Sequence, residues 1–369
     1  MTQSSRMDSE PASFAMDKIY LLSFSDTGSS ISETIASKIT SQYPNADVII
    51  KRVTSITGYI SSIFETAKLL IFIGAAGIAV RAVAPLLKSK VTDPAVIVID
   101  EATRFVIPIL SGHIGGANRY ACEIAEIIGA AAVITTSTDV NGVFAIDSFA
   151  VDNGYSIINP KGIKQISSAM LRSSSVGLYS DFEVIGDHPF RQIYSELQDM
   201  HCPDDARPLH GICISLDISK KPFKETLNLV PKCFHIGVGA KKNASAESLD
   251  TLIHEALMSL LIPIEAVAAI SSISIKKEES AIVSFSNKHR VPFITYSAEE
   301  LEAVSHMFLQ SSFVKSATGT GNVCEAAAFL SSRNGDIVFP KTAENGITIA
   351  IAQESWRVSF GTGNGRSGS

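Results

Sequence analysis

The stretch that decides the fold runs from Thr92 to Gly142, TDPAVIVIDEATRFVIPILSGHIGGANRYACEIAEIIGAAAVITTSTDVNG. Short β-branched runs, VIVID (Val96–Asp100), FVIPIL (Phe105–Leu110) and AAVITT (Ala131–Thr136), surround one segment of helical spacing, Gly116–Ile128. Runs of that length bounded by turn residues read as buried strands. The polar groups Asp93, Asp100, Glu101, Arg104, Ser111, His113, Asn118, Asp139 and Asn141 collect at the strand ends. A core alone does not call for them there, so a site is expected at these junctions.

Working outward, IYLLSF (Ile19–Phe24), DVIIKRV (Asp47–Val53) and LLIFIG (Leu69–Gly74) read as further strands, with helical spacing over Ser30–Thr40 and Ile78–Leu87. Such alternation implies an α/β domain over 18–150 with a mostly parallel sheet. FVIPIL can pair with VIVID through EATR, and Pro108 favours an edge position for it. Six of the fourteen prolines fall between Val151 and Pro231. The region 151–231 therefore reads as a small α+β region or connector, with a helix near Lys161–Arg172 and a strand at VGLYS. Alternation restarts at FHIGVG and continues to GITIAIA, which gives a second α/β domain over 232–355. Residues 1–17 read as disordered and 356–369 as a flexible tail.

A length of 369 residues suits two or three domains. Apolar residues at 46% against 18% charged describe a cored, globular protein. The net charge of -6 argues against generic nucleic-acid binding. Cys122, Cys202, Cys213, Cys233 and Cys324 form no CxxC pair and read as reduced thiols of a cytoplasmic protein. The amino terminus has no secretory core, and Pro263 and Glu265 break the most membrane-like stretch, so no membrane role is expected. Arg81, Lys88, Lys90, Arg104 and Arg119 make the key region locally basic. That pattern suits a small anionic ligand.

Glycine turns carry most of the candidate chemistry. In IGAAGIAVR, Gly74 and Gly77 open a helix whose exposed N–H groups can bind an anion, with Arg81 nearby; a tight turn alone explains the glycines equally. In LSGHIGGANR, His113 stands among Gly112, Gly115 and Gly116 and can serve as general base or acid, or can cap the helix start. TTSTDVNG places Asp139 and Asn141 after a buried strand, where open sheets bind ligands, although an Asx turn is sufficient explanation. HCPDDARPLHGIC fits no standard zinc spacing and reads as a surface loop. In HIGVGAKKNAS, Gly237, Gly239 and Lys241 precede a helix, but Lys242 replaces the third glycine of a dinucleotide fingerprint. TGTGNVCEAA adds Asn322 and Glu325, the latter also explained by the helix dipole, and Lys341 follows the strand DIVF.

The block from Gly77 to Gly142, with GVGAKKNAS, TGTGNVCEAAAFL and VFPKTAENGITIAIA, resembles the CbiG family, the cobalt-precorrin-5A hydrolases of anaerobic cobalamin biosynthesis. The last of these domains is similar to stand-alone CobE-type proteins. The resemblance implies that water opens a δ-lactone on ring A and that the meso carbon leaves as acetaldehyde. It also implies no protein cofactor or metal, since cobalt arrives inside the substrate. Cobalt-precorrin-5A is a flat ring bearing many carboxylates, so a binder needs several separated anion sites. Arg81, Arg104, Arg119, Lys241 and Lys242 are candidates, with the macrocycle expected in a cleft between domains. His113 would activate water, with Asp100, Glu101 or Asp139 orienting or replacing it, and Arg104 would bind a carboxylate or the lactone oxyanion. The expected binding set is Gly74, Gly77, Arg81, Arg104, Ser111, Gly115, Gly116, Asn118, Asn141, Gly237, Gly239, Lys241, Asn322, Glu325 and Lys341. Other enzymes of the pathway are candidate partners. A non-catalytic tetrapyrrole carrier is the main alternative, and a nucleotide-binding α/β protein a second.

Overall fold

Strands covered on both faces need apolar residues at every position, and the amino-terminal strands have them. β1 (Lys18–Ser23), β3 (Leu69–Ile73) and β4 (Ala95–Ile99) are buried almost throughout. Ile19, Leu21, Ile71 and Ile97 pack with α1 (Asp26–Gln42) and α4 (Ala117–Ile128) on one face. Tyr20, Leu22, Phe72 and Val98 pack on the other with α2 (Ile56–Ile63) and α3 (Ala76–Val83). The alternation follows from the two-residue period of a strand. This computed structural model describes residues 18–360 apart from 45, 54–55, 90–91, 137–142, 173, 191 and 196–207. The expected disorder of 1–17 therefore lies outside the described residues.

The chain divides after Ser148 into two compact units. In the first, β2 (Asp47–Arg52), β1, β3 and β4 run parallel in that order. β5 (Phe105–Leu110) is antiparallel to β4, and β6 (Ala131–Ala132) is parallel to β5. β6 pairs only with Phe105 and Val106, so β5 is internal there while Pro108 has no β6 partner and meets no demand for an N–H. AAVITT is thus a strand for two residues only.

Among the described residues the second unit holds two five-stranded sheets and one two-stranded sheet. β10 (Gln192–Tyr194), β8 (Val176–Ser180), β11 (His210–Ile214) and β12 (Glu225–Pro231) are parallel, and β7 (Tyr155–Ile157) closes the sheet antiparallel to β12. α6 (Lys161–Leu171) packs on it through Ile163 and Ile166. The surface-loop reading of HCPDDARPLHGIC fails from His210 onward. Ile212 and Cys213 are buried in β11, because two neighbouring strands satisfy this backbone; positions 201–207 lie outside the described residues.

The last sheet orders as β15 (Phe293–Tyr296), β14 (Val267–Ile273), β13 (Phe234–Ala240), β17 (Ile347–Gln353) and β16 (Asp336–Glu344). The first three are parallel, whereas β17 runs against both β13 and β16. α7 (Ala246–Ser259) and α8 (Ser280–His289) cover one face through Leu249, Ile253 and Phe285. α11 (Cys324–Ser331) lies on the other, and α9 (Ala298–Ser305) and α10 (Ser312–Thr318) precede it. Trp356–Phe360 begins what the sequence marks as a tail, yet β18 (Val358–Ser359) pairs with β9 (Val184–Ile185) and Phe360 stacks on Phe149. Among the described residues no helix is long and apolar enough to cross a membrane.

Candidate active site

The turn between β4 and β5 determines which candidate residues can meet. Asp100 Oδ1 accepts the N–H groups of Arg104 at 2.8 Å and Phe105 at 2.7 Å, and Thr103 adopts a φ of 52°. The chain reverses, leaving Val106 beside Ile99 and Leu110 beside Val96. Residues after β5 therefore sit at the edge where the parallel strands begin, and Asp100 to Arg104 at the edge where they end. Six residues of strand put the two groups on the order of 20 Å apart.

The expected grouping of His113 with Asp100, Glu101 and Arg104 is accordingly not formed. Asp100 is occupied by its own turn. Burial opposes its ionisation, but the N–H groups of Phe105 and Arg104 and the Arg104 guanidinium outweigh it and hold the carboxyl below its usual range. Exposed Arg104 lies 3.4 Å from Asp100 and over the Phe105 ring. Glu101 accepts the Ser25 hydroxyl. Gly74 donates its N–H to Ile99 ahead of α3, and Arg81 folds back to the Gly77 carbonyl at 3.4 Å. This edge is a set of turns tied to one another.

The opposite edge gathers His113. Ser111, at φ 55°, donates its hydroxyl to the Asp93 carbonyl at 3.0 Å, while the buried Asp93 carboxylate accepts the N–H groups of Lys88 and Ser89. A Cβ on Gly115 would stand 2.4 Å from the Ser111 Cβ, and Gly116 has a φ of 83°, so both glycines are required by the loop itself. Asn118 donates through Nδ2 to Thr136 Oγ1 at 2.9 Å. Asp139 and Asn141 lie outside the described residues.

His113 meets a carboxylate from a later element. Its Nδ1 lies 3.1 Å from Oδ2 of Asp147, in the first turn of α5 (Ile146–Asp152), with side chains 16% and 9% exposed. Burial raises the cost of charging Asp147. The hydrogen bond and charge of His113, with the N–H groups of Asp147 and Ser148, more than offset that and lower its pKa. An ionised carboxylate only accepts, so Nδ1 is the donor and the neutral ring carries its lone pair on Nε2. That arrangement orients an imidazole as a general base.

In the carboxy-terminal sheet the candidates separate differently. A cavity of about 520 Å³ opens at the ends of β13 and β14, with Gly239, Ile273, Val314 and Val323 among its walls. Lys241, Lys276 and Lys341 line it as well, giving an apolar pocket with three cations. Lys276 pairs with Glu279 at 2.9 Å. Cys324 also faces it, its thiol pushed up to about 11 by burial. Gly237 does not line the pocket. A Cβ there would stand 1.8 Å from the Cys324 carbonyl, so the glycine exists to seat α11 on β13. Asn322 and Glu325 are likewise consumed by the fold: Asn322 bonds Leu309, Glu325 Oε2 at 2.6 Å and the Glu325 N–H, while Glu325 Oε1 accepts the backbone N–H of Lys341.

Three segments of the chain match family models: residues 59–139 "Cobalamin synthesis G N-terminal", 144–231 "Cobalamin biosynthesis central region" and 234–352 "Cobalamin synthesis G C-terminus". A cobalt-precorrin-5A hydrolase of Salmonella typhimurium is 36% identical over 294 residues, 78% of this chain and 82% of that protein. The chain belongs to the CbiG family. A second cobalt-precorrin-5A hydrolase, from Priestia megaterium, is 31% identical over 81% of this chain and 82% of its own. A solved structure of CobE, a protein from the cobalamin (vitamin B12) biosynthetic pathway, is 26% identical, covers 33% of this chain and 91% of its own, and superposes with a TM-score of 0.32.

Two residues of this CbiG chain escaped the sequence reading. Asp147 lies 34 positions from His113, inside the unremarkable run AIDSFA, and no local pattern announces the pairing. Lys276 sits in IKKEES just after β14, where the end of a parallel strand was the available signal.

Proposed function

We propose that this chain is a cobalt-precorrin-5A hydrolase of cobalamin biosynthesis, opening the ring A δ-lactone and releasing acetaldehyde. The match to all three CbiG segments, and to two hydrolases over about four-fifths of the chain, supports the activity. The observation that carries the residue assignment is the His113–Asp147 hydrogen bond. His113 Nε2 takes a proton from water, and the resulting hydroxide adds to the lactone carbonyl. The C–O bond breaks and leaves a carboxylate and a hydroxyl on the meso carbon. Loss of the hydroxyl proton lets that carbon depart as acetaldehyde, with the bonding electron pair remaining on the macrocycle. Asp147 keeps the imidazole in the productive tautomer and stabilises the imidazolium formed by proton uptake.

The pocket beside Lys241, Lys276 and Lys341 suits the rim of such a substrate. An apolar wall takes ring surface, and the Lys241 and Lys341 ammonium groups take peripheral carboxylates, Lys276 being paired with Glu279. Cobalt belongs to the substrate in this reading, and the residues assigned here do proton transfer and anion binding. Incubating the purified chain with cobalt-precorrin-5A, and following acetaldehyde by its enzymatic reduction with NADH, tests the proposal. Catalytic acetaldehyde formation is expected; tight binding without release would establish the carrier reading instead.

A further inference from the structure

We infer that Asp250, His254 and His289 form a binding site for a first-row divalent cation of the zinc type, linking α7 to α8. One donor atom from each residue lies within 4.8 Å of the others. Asp250 and His254 are four positions apart on α7, which places both on one face one turn apart. His289 is the last residue of α8, and its Nε2 lies 2.6 Å from Asp250 Oδ1. Its ring packs against the buried Phe285 ring at 4.5 Å, which fixes its direction. His254 is held toward the same carboxylate, with Nδ1 2.8 Å from the Asp250 carbonyl and 3.7 Å from Oδ2.

Charge balance alone does not explain the cluster. Lys288 already neutralises Asp250 at 2.7 Å, so the carboxylate has no need of two imidazoles. Two imidazoles and a carboxylate are a donor set suited to Zn²⁺ and its first-row neighbours, with solvent able to complete the shell. Metal–ligand distances of about 2.0–2.2 Å require donors within about 4 Å of each other. His254, with its side chain 41% exposed, has room to close the remaining gap. His289 stands in the last turn of α8, and the partial negative charge at a helix carboxy terminus favours a cation there. On binding, the metal replaces the proton shared between His289 and Asp250, and Lys288 yields one carboxylate oxygen.

The full chain, stripped by chelator and titrated with Zn²⁺ against a chromophoric competitor, provides the test. One ion per chain is expected, with a rise in thermal midpoint. His254→Ala and His289→Ala should each weaken that site by more than the roughly 10–100-fold that loss of an outer partner costs. Lys288→Ala should bind at least as tightly as the parent. A parent that takes up no Zn²⁺, or uptake unchanged in both histidine variants, would overturn the site. So would loss of the ion in His113→Ala with retention in His254→Ala. The readout is metal uptake, so it stands apart from any result on acetaldehyde release.

Discussion

Nδ1 of His113 lies 3.1 Å from Oδ2 of Asp147, and the two side chains come from opposite ends of a 34-residue interval. If this pair moves the proton, His113→Ala lowers acetaldehyde release by roughly 10²–10⁴-fold, the range for losing a general base. Asp147→Asn retains the hydrogen-bonding shape but can present its amide N–H to Nδ1 and invert the tautomer. It should therefore lower kcat far more than KM. Single-turnover measurement with both variants decides the point. A drop confined to KM would make the pair a binding feature.

The same carboxylate links stability to pH. Its folded pKa is lower than that of the unfolded chain, so the unfolded state binds the proton more readily at acid pH. The stabilisation is complete above the unfolded carboxylate value of about 3.9 and disappears as pH falls through the lower folded value. Asp147→Asn is expected to cost about 1.5–3 kcal/mol at pH 7, the worth of a charge-assisted hydrogen bond. The gap between parent and variant should narrow below about pH 4. Denaturant midpoints across that window check the sign, and a gap that widens toward acid contradicts the assignment.

Asp100 lies at the far edge of the sheet and accepts two backbone N–H groups of its own turn. Asp100→Ala should leave kcat within about threefold and lower stability by roughly 1 kcal/mol, as loss of a cap does. A loss of activity comparable to that of His113→Ala would return Asp100 to the chemistry.

The difference between those two aspartates shows where sequence reasoning reached and where it stopped. Strands such as LLIFI and AVIVI were legible because burial on both faces demands continuous apolar runs. The EATR turn was legible too. What it does to chain direction is a property of pairing: an antiparallel β5 carries His113 away from Asp100, although both flank the same strands. α2 went unread because ITGYISSI holds a glycine and β-branched residues, and its helix is stabilised by tertiary burial of Ile60 and Ile63. Gly237 belongs to the binding set that the sequence suggests, whereas the atom that explains it belongs to Cys324, in α11.

The lysine-lined pocket makes a separate prediction. Lys241→Ala and Lys341→Ala should each weaken binding of the polycarboxylate substrate by about two- to fivefold, the scale of a solvent-screened ion pair. Raising the salt concentration should shrink both effects, since exposed charge is screened within about 10 Å at 0.1 M. Absorbance titration of the bound cobalt-precorrin measures this directly. Affinity unchanged in the double variant would move the substrate's carboxylates elsewhere.

Gly237→Ala tests the packing on which that pocket depends. The added Cβ would stand 1.8 Å from the Cys324 carbonyl and 2.7 Å from the Ala328 nitrogen, both backbone atoms of α11 that cannot rotate away. α11 must therefore lift from β13, at a cost of about 3 kcal/mol or more. Lifting it also displaces Val323 and Cys324 from the pocket wall. The chain's one tryptophan, Trp356, donates to the Tyr155 hydroxyl inside this second unit, so its fluorescence follows unfolding there. The tryptophan midpoint should fall sharply for Gly237→Ala. Equal midpoints for parent and Gly237→Ala would mean that α11 is free to shift, and that the pocket's shape is not fixed by this contact.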